Sequence, residues 1–420
     1  MKLINSTNTA AVINGNKKML SDSTVVKYLS QVSNWLYLSG VILCVAESLG
    51  TEKYVKNSEI IGSLVKLWDP IVIRWTSTIL FLALLIDVLI NGLNIKKMFF
   101  AIIGSLLLME VFVNKNETYQ LNSSFWLIVS YPENLNIKKP LKAIYITGLF
   151  MSLIIIGSAL MGTVDNTLTF YHNTLRYSLG FTNPNDFSIK IAFIIAVWML
   201  ESTYCWKPIY YPLALGLGFL SFAYGDGQMS IALILTFTLG IALYRLDIVP
   251  NKIKVNLKKV LNTFCIIGFP LFAIGSLLLV YLLSTWPNVA SLTGSLGGRI
   301  KNWVDVYQTY GFTLLGRKIN INHAYDNYYL YIATFYGLLN LIFFSFIFIY
   351  FGIYLRNQNR YEDTYFLILF TAILLVFFLG ESTGRYLINN PLILYLGYMI
   401  KQSPYTNQVT PHHCNHLTCN

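Results

Sequence analysis

The chain has 420 residues, of which 55% are hydrophobic and 12% are charged, and its formal net charge is +11. Soluble domains carry about 25% charged residues, so this composition excludes a wholly water-soluble fold. Apolar runs of about 20 residues recur, each long enough to cross about 30 Å of hydrocarbon as a helix. They lack the alternation typical of a transmembrane barrel strand. The sequence therefore predicts an all-α integral membrane protein, with residues 1–420 forming a single membrane domain.

The apolar runs predict about twelve transmembrane helices. The fourth, residues 119–131, is too short to cross alone, so it is predicted either to complete a crossing or to form a tilted or re-entrant helix. The predicted spans are approximately 28–46, 70–93, 98–113, 119–131, 143–161, 187–206, 208–224, 229–244, 260–284, 327–354, 363–380 and 387–400.

Basic residues predict the orientation of these helices. Lys and Arg are enriched in short cytoplasmic loops, and most of the 30 basic residues fall on the inner side when both termini are cytoplasmic. This distribution favours contact with anionic membrane lipid over nucleic-acid binding. Residues 401–420 are predicted to be a disordered cytoplasmic tail. Its histidines and cysteines match no zinc-finger spacing, so no metal site is predicted there.

The first polar loop on the predicted outer side runs over residues 162–186. Arg176 is its only Lys or Arg, and the sequence leaves open whether this side chain is solvated or contacts a ligand. The run Asn183-Pro184-Asn185, followed by Asp186, has the chemistry of a turn leading into a helix cap.

A second outer loop, residues 285–326, is predicted to carry an amphipathic helix on the membrane surface. Its apolar residues follow helical spacing: Ile300, Trp303, Val304, Tyr307 and Tyr310. Arg299 lies at the start of this helix, where backbone N–H groups also attract phosphate, and Arg317 supplies a second cation. The helix serves either as an anchor alone or as a platform for an anionic headgroup.

Two further carboxylates lie beside predicted outer helix ends. Asp326 precedes the tenth span, where it either caps the helix or takes part in chemistry. Glu381 lies in a short hairpin with Arg385, and the two either pair with each other or join a ring of polar groups facing the long loop.

Several of these segments resemble the O-antigen and capsular polysaccharide repeat-unit polymerases, the Wzy family. The resemblance covers most of residues 140–400. The matching segments are Arg176-Tyr177-Ser178-Leu179-Gly180-Phe181 with Asn183-Pro184-Asn185, then Gly298-Arg299 with Trp303, Leu315-Gly316, Asp326-Asn327-Tyr328-Tyr329-Leu330, Gly337-Leu338, and Glu381 with Asn390-Pro391.

The resemblance implies a bacterial cytoplasmic membrane enzyme that transfers a growing glycan from its polyprenyl pyrophosphate carrier to a lipid-linked repeat unit on the outer face. It implies a glycosyltransferase without a metal or other cofactor, whose partners are the lipid-linked oligosaccharide, membrane lipid and a chain-length regulator. The implied roles are Asp326 as general base, Arg176 and Arg299 as ligands of the donor pyrophosphate, Arg317 and Arg385 as ligands of pyrophosphate or sugar, and Glu381 as a partner of sugar or arginine.

Two alternatives come from other functional classes. A flippase or other transporter of lipid-linked oligosaccharide would use charges within the spans, for which Asp87, Glu201 and Lys190 are the candidates. Lys190 is predicted to snorkel from an outer helix end. An O-antigen-type ligase would resemble the same family, but ligases tend to carry His-Asn where this chain has Asp326-Asn327, which favours a polymerase. The polymerases often carry a Ser-Arg-Thr-like element where this chain has residues 225–228.

Overall fold

The computed structural model confirms the all-α class. It describes residues 24–49, 59–92, 94–113, 119–164, 166–171, 174–203, 206–225, 227–245, 249–286, 294–317, 326–358, 362–382 and 387–401. The helices are α1 Thr24–Leu49, α2 Glu59–Asn91, α3 Ile95–Val113, α4 Tyr119–Val129, α5 Lys138–Leu160, α6 Pro184–Ser202, α7 Tyr210–Gly225, α8 Gln228–Arg245, α9 Asn251–Ser284, α10 Gly294–Tyr310, α11 Tyr328–Tyr331, α12 Leu338–Asn357, α13 Glu362–Gly380 and α14 Leu392–Lys401.

Within the described ranges, five helices are long and apolar enough to cross a membrane, namely α1, α5, α8, α9 and α12. Shorter apolar helices cover Trp75–Asn91, Thr364–Phe377 and Leu392–Lys401. The chain is thus a helical membrane protein, but these criteria support five spans and not the predicted number of about twelve. The short fourth segment forms the 11-residue helix α4.

The first polar loop contains a β-hairpin that the sequence did not predict. Strand β1, Leu168–Tyr171, pairs antiparallel with β2, Thr174–Tyr177, and Thr169 lies opposite Arg176. The turn chemistry predicted after it is confirmed, because the side chain of Asn183 accepts a hydrogen bond from the backbone of Asp186 at 2.8 Å and caps α6.

The predicted tenth span, residues 327–354, is not one continuous helix. The short helix α11 passes into a π-helical turn over Ile332–Tyr336, and Gly337 then separates it from α12 with a φ of 88°. Residues 313–316 fill the break, since the backbone N–H of Leu338 donates to the carbonyl of Thr313 at 2.9 Å. A Cβ atom on Gly337 would lie 2.3 Å from the backbone nitrogen of Gly316. The sharp change of direction therefore requires glycine at position 337.

Helices α6 and α13 occupy the centre of the bundle, and most of their described residues are buried. They meet at Phe193 and Phe377, whose ring centroids are 5.1 Å apart in an edge-to-face arrangement.

Small residues allow neighbouring helices to approach α13 closely. A Cβ on Gly240 of α8 would lie 2.3 Å from the side chain of Leu369, as expected where membrane helices pack through glycine.

Buried charges tie α2, α3 and α14 to the segment that follows α4. Lys97 Nζ lies 2.6 Å from Asp87 Oδ2 and 3.7 Å from Glu133 Oε1, and it also donates to the carbonyl of Tyr131 at 2.8 Å. Lys401 donates to the carbonyl of Leu135 at 2.8 Å. These contacts neutralise the Asp87 carboxylate. Asp87, which the sequence offered as a candidate transporter charge, therefore takes part in ion pairs that hold helices together.

Candidate functional site

Arg299 connects the surface helix α10 to the end of the central helix α13. Its Nη1 donates to the carbonyl of Gly380 at 2.5 Å, and Gly380 is the last residue of α13. The final carbonyls of a helix have no intrahelical partner and carry partial negative charge, which a cation stabilises. The helix predicted from the spacing of apolar residues in this loop is present as α10. The prediction that Arg299 starts it is wrong, because α10 begins at Gly294 and Arg299 lies in its second turn, which is held against the bundle by this contact.

Two carboxylates flank the Arg299 guanidinium. Nε lies 3.5 Å from Asp326 Oδ2, and Nη2 lies 3.8 Å from Glu381 Oε1. Charge-assisted hydrogen bonds measure about 2.7–2.9 Å, so both separations are those of ion pairs without a short hydrogen bond. The structure thus brings together three of the predicted site residues from distant parts of the chain. We call Arg299, Asp326 and Glu381 the charge cluster.

Glu381 is the buried member of the charge cluster. It is 3% exposed, and Asn185 Nδ2 of α6 donates to its Oε1 at 3.4 Å. Burial raises the pKa of this carboxyl to about 7, with smaller increases from Asp326 and Asp186, while Arg299 and the Asn185 hydrogen bond oppose the rise. Because this pKa lies near neutrality, Glu381 exchanges a proton in the physiological range.

Asp326 is more accessible than Glu381, with 30% of its side chain exposed beside an Arg299 side chain that is 27% exposed. Burial raises its pKa above the ordinary value, and Arg299 opposes the shift. The alternative role of Asp326 as a helix cap is wrong. The cap is Asn327, whose Oδ1 accepts from the backbone of Leu330 at 3.0 Å. Asp326 is therefore left for interactions with Arg299 and with groups that reach the surface.

Helix α6, which carries Asn185, also contains an ion pair in which Lys190 is buried. Lys190 was predicted to snorkel, but it is 1% exposed and its Nζ lies 3.0 Å from Asp186 Oδ2, one turn earlier on α6. The ammonium also lies 5.7 Å from the centre of the Phe181 ring. The signal available in the sequence was the i, i+4 spacing of an acid and a base. This pair stiffens the first turns of α6, which carry Asn185 to Glu381.

Two other predicted arginines lie on segments outside the charge cluster. Arg176 is on β2, and the Tyr177 ring that follows it packs edge-on against Tyr224 of α7 at 6.1 Å. Residues 313–316, which fill the break before α12, are called the strap. Arg317 directly follows the strap and is half-buried. Arg385 lies outside the described residues, so its predicted pairing with Glu381 stays a prediction.

The arrangement offers one guanidinium and two carboxyl groups at the end of an apolar helix bundle. Arginine can hold a phosphate group through two parallel hydrogen bonds, and a carboxylate with a raised pKa can accept a proton near neutral pH. Comparison with family models, with curated proteins and with solved structures finds no match for this chain.

Proposed function

We propose that this chain is a glycosyltransferase of the polysaccharide polymerase type, acting on polyprenyl pyrophosphate-linked oligosaccharides at the outer face of a bacterial cytoplasmic membrane. The observation that supports the proposal is the placement of Arg299 between Asp326 and Glu381, at the end of α13. The proposed topology has both termini cytoplasmic and about twelve membrane segments, which is more than the five described helices that meet the length and hydropathy criteria. A chain-length regulator is a further proposed partner.

In the proposed reaction, a hydroxyl oxygen of the acceptor repeat unit attacks the anomeric carbon of the donor glycan. The bond from that carbon to the pyrophosphate oxygen breaks, and its electron pair leaves with the pyrophosphate. The hydroxyl proton passes to Asp326, whose partly exposed carboxylate is the more accessible of the two. Direct displacement inverts the configuration of the anomeric carbon.

Arg299 has two tasks in this scheme. It binds the pyrophosphate and neutralises the charge that develops on the leaving oxygen. Its ion pairs with Asp326 and Glu381, at 3.5 and 3.8 Å, hold the guanidinium in place before substrate arrives. A preorganised cation does not need to reorient during the reaction, which is the source of its catalytic value.

The test uses purified protein in nanodiscs supplied with lipid-linked repeat units. Wild-type protein should produce a ladder of glycans, and Arg299→Ala should reduce turnover by about 100-fold or more. Lys301→Ala is the matched control, because this cation is on the same helix but exposed, and its turnover should be unchanged. A ladder of normal intensity from Arg299→Ala would refute the assignment.

Sidedness supplies an independent test. Single cysteines introduced at positions 299 and 326 should react in intact cells with a reagent that does not cross the cytoplasmic membrane. Labelling of both positions from the cytosolic side alone would exclude transfer on the outer face.

A further inference from the structure

An apolar groove lies between helices α8, α9 and α13. It has a volume of about 490 Å³, which is within the range of about 300–1,000 Å³ common to ligand sites. Met229, Leu233 and Thr236 line it from α8, Leu261 and Phe264 from α9, and Phe377 from α13. The wall is therefore hydrocarbon with one hydroxyl, which suits an apolar chain.

One end of this groove lies against the charge cluster. Met229, in the first turn of α8, lines the groove, and its Cε would be 3.2 Å from a Cβ atom on Gly380. Arg299 Nη1 would be 3.6 Å from the same position, and it binds the Gly380 carbonyl. Met229 of the groove wall and the Arg299 guanidinium thus adjoin the same position of Gly380.

A second cavity adjoins the groove along α9. This cavity of about 390 Å³ shares Val260 and Phe264 with the groove and extends to Lys259 and Ile267. On α8 alone, the lining from Met229 to Thr236 covers about 10 Å at 1.5 Å per residue. An elongated apolar channel that starts beside a cation matches the shape of a lipid with an anionic headgroup.

We propose that this groove holds the isoprenoid chain of the donor lipid whose pyrophosphate binds Arg299. The inference rests on the proposed function and specifies where its lipid substrate lies. The chain and the headgroup are covalently joined, so a pyrophosphate at Arg299 places the first isoprene units within reach of Met229.

The groove contributes shape and not hydrophobic driving force. Bulk lipid is as apolar as the groove wall, so moving a chain from one to the other gains little from the removal of water. Close packing against Leu233, Phe264 and Phe377 instead fixes the direction in which the chain leaves the headgroup. That direction orients the anomeric carbon towards the exposed side of the charge cluster.

The test fills the groove with a large side chain. Ala232 also lines the groove, and Ala232→Trp should exclude a chain without touching Arg299. Leu235→Trp is the matched control, because Leu235 is three residues further along the same helix, rotated about 60° from Ala232, and does not line the groove. A photoreactive polyprenyl phosphate is the probe, and the cross-linked peptides are identified by mass spectrometry.

We expect cross-links on α8 and α13 in wild-type protein and in Leu235→Trp, with about a tenfold reduction in Ala232→Trp, corresponding to about 1.4 kcal/mol. Equal labelling of Ala232→Trp and wild-type protein would overturn the proposal. So would competition by ordinary phospholipid as effective as that by unlabelled polyprenyl pyrophosphate, because it would assign the groove to bulk acyl chains.

Turnover separates this inference from the proposed function. With a donor on a full-length polyprenyl chain, Ala232→Trp should lower kcat/KM by about tenfold, whereas an analogue with a methyl group in place of the polyprenyl chain should be used equally by both proteins. Groove-specific cross-links in a wild-type protein that transfers no sugar would refute the glycosyltransferase while supporting lipid binding. Normal transfer without such cross-links would refute only the groove.

Discussion

The Arg299 guanidinium lies 3.8 Å from the Glu381 carboxyl, immediately beyond the last residue of α13. The same arginine donates a hydrogen bond to the carbonyl of that last residue, Gly380. One side chain therefore caps the C-terminal end of α13 and also pairs with a buried carboxyl group. The surface helix α10 is therefore fixed to the central helix through the residue that we propose binds substrate.

Substitutions of Asp326 and Asn327, the two residues before α11, should distinguish a loss of turnover from a loss of folding stability. Asp326→Asn removes the proposed proton acceptor and should lower turnover by about 100-fold or more, with little change in the midpoint of thermal unfolding. Asn327→Ala removes the cap of α11 and the 3.1 Å hydrogen bond to Ser276 Oγ, and should cost about 1 kcal/mol or more of stability. Wild-type turnover in Asp326→Asn would show that another group accepts the proton.

Glu381 should make stability fall as pH rises. Its pKa is raised from 4.5 to about 7, so the folded protein binds this proton more tightly than the unfolded chain does. The contribution is complete below pH 4.5 and is lost as pH rises through about 7, amounting to about 3 kcal/mol. Glu381→Gln should remove this slope. Thermal unfolding in nanodiscs at a series of pH values measures it, and identical slopes for both proteins would contradict the shift.

Replacing only one partner of the Asp186–Lys190 ion pair should lower the folding stability of the protein. Lys190→Met leaves Asp186 without its 3.0 Å ammonium partner and should destabilise the protein by about 3 kcal/mol. The double variant Asp186→Asn with Lys190→Met should recover most of this loss, because no uncompensated charge remains. Chemical denaturation of both single variants, Lys190→Met and Asp186→Asn, and of the double variant measures the coupling, and additive losses would indicate that the pair does not interact energetically.

Substitution of Gly337, at the break before α12, can be compared with substitution of Gly311, which also has a positive φ. Both have positive φ, 88° and 62°, but a Cβ on Gly337 would clash with the backbone of Gly316 and Leu314, whereas Gly311 has open space around it. Gly337→Ala should therefore cost more than about 3 kcal/mol, and Gly311→Ala only the backbone strain of about 1 kcal/mol. Equal unfolding midpoints for the two variants would show that the strap over residues 313–316 moves freely.

Parts of the candidate site could be predicted from the sequence because they depend on neighbouring residues. The spacing of apolar side chains predicted helix α10, and the turn residues before α6 predicted its cap. The burial of Lys190 was missed because an i, i+4 pair looks the same in sequence whether it faces solvent or a packed interior. Gly337 was read as part of a span because apolar residues continue on both sides of it.

The sequence by itself determined that the chain is a helical membrane protein, since the length and polarity of a segment set whether it can lie in hydrocarbon. Only the tertiary structure decided that Arg299, Asp326 and Glu381 meet, that Asn185 supports Glu381, and that an apolar groove ends at Gly380. These contacts join residues far apart in the chain. They depend on which helices pack together and on how far each helix is shifted along the bundle axis. The local spacing of residues does not determine either of these.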